Sequence, residues 1–195
     1  MSQRKLDRIE DTLIMLEHPP VLTLGRAASL EALRVAESEL PVQLVRTGRG
    51  GQITFHGPGQ LVAYPILRLE EGRRDLHRYL RDLEAVVIDV CADFGVTAER
   101  QAGRTGVWVG ERKLASIGVR ASNWVTSHGV GLNYGMDLSG FDLIEPCNLT
   151  GVRMTSLGLE LGQPPARRDV EARWCLRFAE RFDRRLQQGP VEGDA

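Results

Sequence analysis

Apolar positions along the chain fall into short strand-like runs in its first third and into two helical stripes further on. Thr12-Leu-Ile-Met-Leu-Glu17 is an apolar run of strand length closed by His18-Pro19-Pro20, and Val21 to Leu24 reads as a second short strand before Gly25. Ser29 is placed to cap a short helix running to Ser38, and Pro41 precedes a strand over Val42 to Val45. From Thr47 to Gln60 five glycines and a proline break any period, so a loop is expected before Leu61 to Leu67 returns to strand. Residues 74–94 carry Leu76, Tyr79, Leu80, Leu83, Val86, Val87, Val90, Cys91 and Phe94 at steps of three and four, an amphipathic helix ended by Gly95. Gly106 to Gly110, a turn at Gly110-Glu111 and Lys113 to Arg120 predict a hairpin, with a further strand from Trp124 to Tyr134. A last helix over 167–186 places Val170, Trp174, Phe178 and Phe182 at every fourth position. Many strands with one long helix mid-chain and one at the end predict a mixed α/β (α+β) class and not a βαβ repeat.

Composition narrows this picture without redirecting it. The 195 residues fit one domain, expected to span 1–195, and 42% hydrophobic with 26% charged residues is ordinary for a globule. A net charge of −1 argues against nucleic-acid binding. The arginine clusters at 73–81 and 167–185 are interleaved with Asp and Glu, as on solvated helix faces. No secretory signal opens the chain and no apolar run approaches the length of a membrane span, so a cytoplasmic protein is expected. Three cysteines without paired spacing suit a reducing compartment, and four scattered histidines offer no metal-ligand spacing.

Candidate chemistry begins with the thiols. Cys91 lies on the apolar stripe of the long helix and Cys175 beside Trp174 in the last one, so both are expected to be structural. Cys147 stands off any periodic element, between Pro146 and Asn148, where loops present reactive groups; a nucleophile and a chance loop thiol both fit. Lys5 and Lys113 are the only lysines, against 23 arginines. Lys113 directly follows Arg112, and unlike arginine it can lose its proton, so it is a candidate acid/base as well as a chance lysine after a turn. An ammonium beside a thiol raises the ionised fraction from about 3% at pH 7 toward roughly half if the thiol pKa falls to about 7. The glycine-rich run Arg49 to Gln60 has no Gly-Lys-Ser/Thr, and Ile53 stands where a dinucleotide loop needs glycine, so nucleotide binding is disfavoured. Backbone brought close to a ligand is the alternative. Thr54 and His56 would share a face if the run extends, His128 is a rival base for Cys147, and His18 and His77 read as turn and helix-surface residues.

Taken together, several stretches resemble the lipoate-protein ligase B family, the octanoyl-acyl-carrier-protein:protein N-octanoyltransferases. They are Leu16-Glu-His-Pro-Pro20, Arg49-Gly-Gly-Gln-Ile-Thr-Phe-His-Gly-Pro-Gly-Gln60, Gly106-Val-Trp-Val, Lys113-Leu-Ala-Ser-Ile-Gly118, His128-Gly129 with Leu132-Asn133, and Pro146-Cys147 with Thr155-Ser156. The resemblance implies the fold of biotin and lipoate protein ligases, a mixed sheet flanked by helices, without an ATP site or other cofactor. It implies an acyl-thioester nucleophile at Cys147 and an acid/base at Lys113. It places acyl-substrate contacts at Arg49, Gly50, Gly51, Gln52, Ile53, Thr54, Phe55 and His56, at Ser116, Ile117 and Gly118, and at Gly129, Val130 and Gly131. The implied donor is octanoyl-acyl carrier protein, the acyl group riding on its phosphopantetheine. The implied acceptors are lipoyl domains of 2-oxoacid dehydrogenase E2 subunits and the glycine cleavage H protein. Asn148 stands where the family usually has glycine, Gly131 where alanine is usual, suggesting a slightly larger acyl site, and the short stretch before Asp11 suggests a curtailed N-terminal helix.

Burying seven apolar carbons contributes roughly 5–6 kcal/mol, and one carbon changes affinity about fourfold, so chain-length selection needs a closed pocket end. Three rival readings follow from the same residues: an ATP-dependent lipoate ligase, a cysteine hydrolase using Cys147 and His128, and a non-catalytic carrier-binding domain.

Overall fold

A computed structural model of the chain describes residues 1–145 and 151–189. Its strands are β1 (Thr12–Leu16), β2 (Val21–Leu24), β3 (Gln43–Arg46), β4 (Ile53–His56), β5 (Gln60–Ile66), β6 (Glu99–Gln101), β7 (Arg104–Val109), β8 (Arg112–Ser122), β9 (Val125–Asn133) and β10 (Arg153–Met154). The helices are α1 (Ser2–Lys5), α2 (Leu76–Asp93), α3 (Leu157–Leu161) and α4 (Arg167–Phe182). Among the described residues the larger sheet runs β1-β5-β9-β8-β7-β6, antiparallel along that path, with β10 joining β8 in parallel. The smaller sheet runs β3-β2-β4, with β2 parallel to β3 and antiparallel to β4. This is the mixed sheet flanked by helices that the sequence predicts.

Strand periodicity divides the larger sheet into two faces. On β5, Leu61 and Ala63 enter the core under α2 and α4, while Val62 and Tyr64 point the opposite way and line a cavity. The helices supply complementary stripes. Asp75 caps α2 by accepting hydrogen bonds from the His77 and Arg78 amides at 2.9 and 3.1 Å, so the helix starts just after it and not at residue 74. Tyr79, Leu83, Val86, Val87, Val90 and Cys91 are buried as expected, whereas Leu76 at the first turn stays partly exposed. On α4 the fourfold repeat Val170, Trp174, Phe178 and Phe182 is buried throughout, and the helix ends at Phe182, four residues early, where Asp183 turns left-handed. No helix among the described residues is long and apolar enough to cross a membrane.

Two local expectations are corrected. Ser29 caps only a single 3-10 turn, Leu30–Ala32, because Leu33 goes extended and bridges Ile144, and a second 3-10 turn follows at Glu37–Glu39. Tertiary pairing there outweighs helix propensity. The run 47–60 is not all loop, since Ile53–His56 pairs with β2 and is buried at all four positions. Phe55 packs edge-on against Phe141, at 5.7 Å between centroids, in a second core shared with Leu22, Leu24, Ile53 and Ile144.

Trp174 is fully buried between α4 and the sheet. Trp174→Ala is expected to lower stability by about 3–5 kcal/mol in urea unfolding, whereas Arg168→Ala, at an 88% exposed side chain, should stay within about 0.5 kcal/mol.

Candidate active site

The cavity, about 480 Å³, lies between the smaller sheet and the β5, β9 and β8 segment of the larger one, with the turn at 102–105 as a further wall. Its volume is in the range of small-molecule sites. Glycines on β8 and β9 make room for it. Gly118 faces Gly129 across the two strands, and Ser116 faces Gly131 one pair further along the same face. A Cβ at Gly118 would stand 2.8 Å from the Gly50 carbonyl and 3.2 Å from Arg49 Cδ, so glycine there lets the 47–52 loop lie against the sheet.

Buried polar groups form one directed chain through this site. Arg49 donates to Thr23 Oγ1 from Nε at 3.2 Å and from Nη2 at 2.8 Å, and to the Thr23 carbonyl at 2.6 Å. Gln60 Nε2 donates to Asn133 Oδ1 at 2.9 Å, which leaves Gln60 Oε1 as the acceptor facing His56 Nδ1 at 2.6 Å. His56 therefore carries its proton on Nδ1, and its Nε2 accepts from Thr23 Oγ1 at 3.3 Å. Asn133 Nδ2 donates onward to the Thr155 carbonyl at 3.0 Å, and the Thr155 amide donates to the Lys113 carbonyl at 2.9 Å. Arg49, His56, Gln60, Asn133 and Thr155 are all buried.

Burial pushes the His56 pKa down to about 4; the Gln60 hydrogen bond opposes this, while His18, Arg49 and His128 add to it. His18 and His128 are also lowered, first by burial, and Tyr64 is raised by the same cause. His18 Nε2 lies 2.8 Å from the Tyr64 hydroxyl, its ring 5.5 Å from that of His56, and His128 packs edge-on against Tyr64. At neutral pH the site thus holds neutral imidazoles beside one buried guanidinium. Lys113, on β8 at the cavity wall, is 3% exposed, with Nζ 5.4 Å from the centre of the Trp108 ring.

Most of the expected contact residues meet here. Arg49, Gly51, Gln52, Ile53, Thr54, His56, Lys113, Ser116, Ile117, Gly118, Gly129, Val130 and Gly131 all line the cavity. Gly50 and Phe55 do not. Phe55 alternates away from Thr54 and His56 into the second core, and the Gly50 amide is committed to the Val119 carbonyl at 2.8 Å. Gly131 leaves room for the Gln60 side chain, since a Cβ there would stand 2.9 Å from Gln60 Oε1. Cys147, with Pro146 and Asn148, lies outside the described residues; the described chain stops at Glu145 and resumes at Gly151, just before β10 pairs with Arg112 and Lys113. Cys91 is a core thiol pushed up to about 12 by burial, and Cys175 is partly buried and also raised. Thr23, Val62, Tyr64 and the 102–105 turn were missed, and His18 is a partner of site residues and not merely a turn histidine. The outward alternation of Val62 and Tyr64 on β5 was the signal available for two of them.

Comparison with known proteins gives the family and the fold. The lipoyl protein ligase A/B catalytic domain family matches residues 1–179. An octanoyltransferase of Chloroflexus aurantiacus is 48% identical over 187 residues, covering 93% of this chain and 84% of that protein. One of Geobacter metallireducens is 47% identical over 176 residues, covering 90% and 81%. Among solved structures, the bi-partite lipoate protein ligase of Thermoplasma acidophilum, studied with its E2 lipoyl domain, superposes with a TM-score of 0.72 at 14% identity, covering 94% of this chain and 77% of that one.

The depressed His56 pKa sets a pH dependence. The unfolded ring protonates near its ordinary 6.5 and the folded ring only near 4. This contribution to stability is therefore complete above pH 6.5 and is lost as pH falls from 6.5 to 4. The loss amounts to at most about 3 kcal/mol. Urea midpoints across pH 7.5 to 4 should fall in that window, and ring NMR should place the His56 titration below pH 5 with the proton on Nδ1; a midpoint near 6.5 would contradict the burial argument.

Proposed function

The chain belongs to the lipoyl protein ligase A/B catalytic family, and we propose that it transfers an octanoyl group from octanoyl-acyl carrier protein to a lysine of lipoyl domains through a thioester on Cys147. The curated relatives at 47–48% identity are octanoyltransferases, and this favours the transferase over the ATP-dependent ligase of the same fold. Lys113 carries the reading as an observation of this molecule: a lysine buried at the cavity wall, tied through its carbonyl to the Thr155 amide shortly after the Cys147 segment. His56 is a poor rival base. Its pKa near 4 and the commitment of Nδ1–H to Gln60 leave it a neutral hydrogen-bonding wall.

In the first half-reaction the Cys147 thiolate attacks the octanoyl carbonyl of the phosphopantetheine thioester. The carbonyl carbon's bond to the carrier's sulfur then breaks, and the Lys113 ammonium returns a proton to the departing thiolate. The thioester energy is kept on Cys147. In the second half-reaction the lipoyl-domain lysine, as a free amine, attacks the Cys147 thioester, the amide forms, and the Cys147 sulfur leaves. The proton released from the amine passes to Lys113, neutral since the first half-reaction, and its ammonium again pairs with the Cys147 thiolate. The acyl tail lies along β8 from Lys113 toward Gly118, about 17 Å of extended strand, over Val62, Ser116 and the glycine floor. The acceptors are lipoyl domains of 2-oxoacid dehydrogenase E2 subunits and the glycine cleavage H protein. The reaction takes place in the cytoplasm without a cofactor of its own.

Intact-protein mass spectrometry tests this. Wild type mixed with octanoyl-acyl carrier protein should gain one octanoyl group and discharge it onto an added lipoyl domain without ATP. Cys147→Ala should gain none, and Lys113→Arg, which keeps charge but not a removable proton, should lose at least about 100-fold in acylation rate. An alanine variant that still acylates the domain would exclude the Cys147 thioester; release of free octanoate instead would mark a hydrolase.

A further inference from the structure

The helix α2 buries one carboxylate inside its apolar stripe. Glu84 is 1% exposed, among Leu83, Val86 and Val87, where an apolar side chain would satisfy packing. Its Oε2 accepts from Arg81 Nη1 at 2.6 Å and from Arg100 Nε at 3.0 Å, and its Oε1 accepts from the Gly106 amide at 3.1 Å. Arg100 also donates to the Arg81 carbonyl at 2.8 Å. One side chain of α2 therefore grips both strands of the β6–β7 hairpin, whose connecting turn walls the cavity.

The gripped amide belongs to an unusual residue. Gly106 has φ +126°, and a Cβ there would stand 2.7 Å from Lys113 Cε and 2.6 Å from the Ala115 carbonyl. Its backbone lies directly against the Lys113 stem. The ladders on either side are irregular, with register shifts between Val107 and Trp108 toward β8 and between Glu99 and Gln101 toward β6. Such irregularities re-aim neighbouring side chains and weaken what a regular ladder would hold. We propose that Glu84 is a positioning residue for Lys113: by accepting the Gly106 N–H and holding β6 through Arg100, it sets the backbone against which the Lys113 stem rests, and so the place of the ammonium at the cavity wall. This inference rests on the acid/base role given to Lys113 above.

The test uses the full chain with octanoyl-acyl carrier protein, and two readouts that stability alone does not move once rates are normalised to folded protein. Glu84→Leu removes the acceptor. Glu84→Gln must turn an NH2 group either to the two arginines or to the Gly106 N–H, so it also loses part of the grip. Both are expected to lower kcat between about tenfold and a hundredfold with KM for the donor within about twofold. Both should also slow alkylation of Cys147 by iodoacetamide, read by peptide mass spectrometry, to about the rate in Lys113→Met. Arg81→Ala, which removes one ion pair and leaves the Gly106 acceptor, should keep the wild-type alkylation rate. If Glu84→Leu does not fold, Glu84→Gln, which keeps the side-chain volume, carries the test alone, and wild-type kcat and alkylation in it overturn the positioning role. Folded Glu84 variants with wild-type kcat and alkylation overturn the positioning role alone, provided Lys113→Met is slow in both. If Lys113→Met itself reacts like wild type, the reading of Lys113 fails, and the inference falls with it.

Discussion

The site depends on a single directed run of buried hydrogen bonds. Arg49 can only donate and the Thr155 carbonyl can only accept, so the orientation of Thr23, His56, Gln60 and Asn133 between them is determined at every step. Reversing a buried member would set like groups against each other, and an unmatched buried polar group costs about 1–3 kcal/mol. The run also crosses the architecture. It begins on the smaller sheet, passes through β5 and β9 of the larger one, and ends beside the strand that follows the Cys147 segment. The two sheets are held at the spacing that leaves a cavity between them by the same bonds that fix the tautomer of His56.

The larger sheet separates stability from chemistry by strand periodicity. Its helix-facing rows are mostly aliphatic and meet the stripes of α2 and α4, while the opposite rows mix Val62 and Tyr64 with Ser116 and glycines and face the cavity. Glycines on the floor act through what they exclude. At 118 the absence of a Cβ admits Arg49 and its loop, and at 131 it admits the Gln60 amide, so the conformation of the run above is written partly into missing atoms. Charges follow the same division. Arg177 with Asp93 and Arg181 with Asp89 tie α4 to α2 near the surface, where such pairs add little individually. Glu84, by contrast, is fully enclosed and links the helix layer to the hairpin beside Lys113.

Much of this was legible in the residues alone. The fourfold repeat of α4 and the stripe of α2 gave their buried faces directly, because helical period is a local property. Cys91 was recognisable as a core thiol for that reason. Lys113 stood out because lysine is nearly absent from a chain rich in arginine, and most of the cavity wall was implied by family motifs. What misled was equally specific. A glycine-rich run reads as loop, yet Ile53–His56 gains a strand by pairing with β2, and a capped helix at Ser29 yields to a bridge between Leu33 and Ile144. Both outcomes depend on partners remote in sequence.

By itself, then, the sequence determined the elements with strong period, the mixed class, the family and the residue types able to carry acyl transfer. Tertiary structure decided which of them share one space. Phe55 and Gly50 sit in the motif but turn to the second core and to Val119, while Thr23 and Tyr64 enter from strands that no motif connected to the site. It also decided the ionisation of His56 and the use of Glu84, since burial and hydrogen-bond direction arise only when separate strands and a helix close around the group. The physical reason is the range of the interactions: periodicity and capping act over a few residues, whereas desolvation and buried polar pairing are set by whatever the fold brings within about 3 Å.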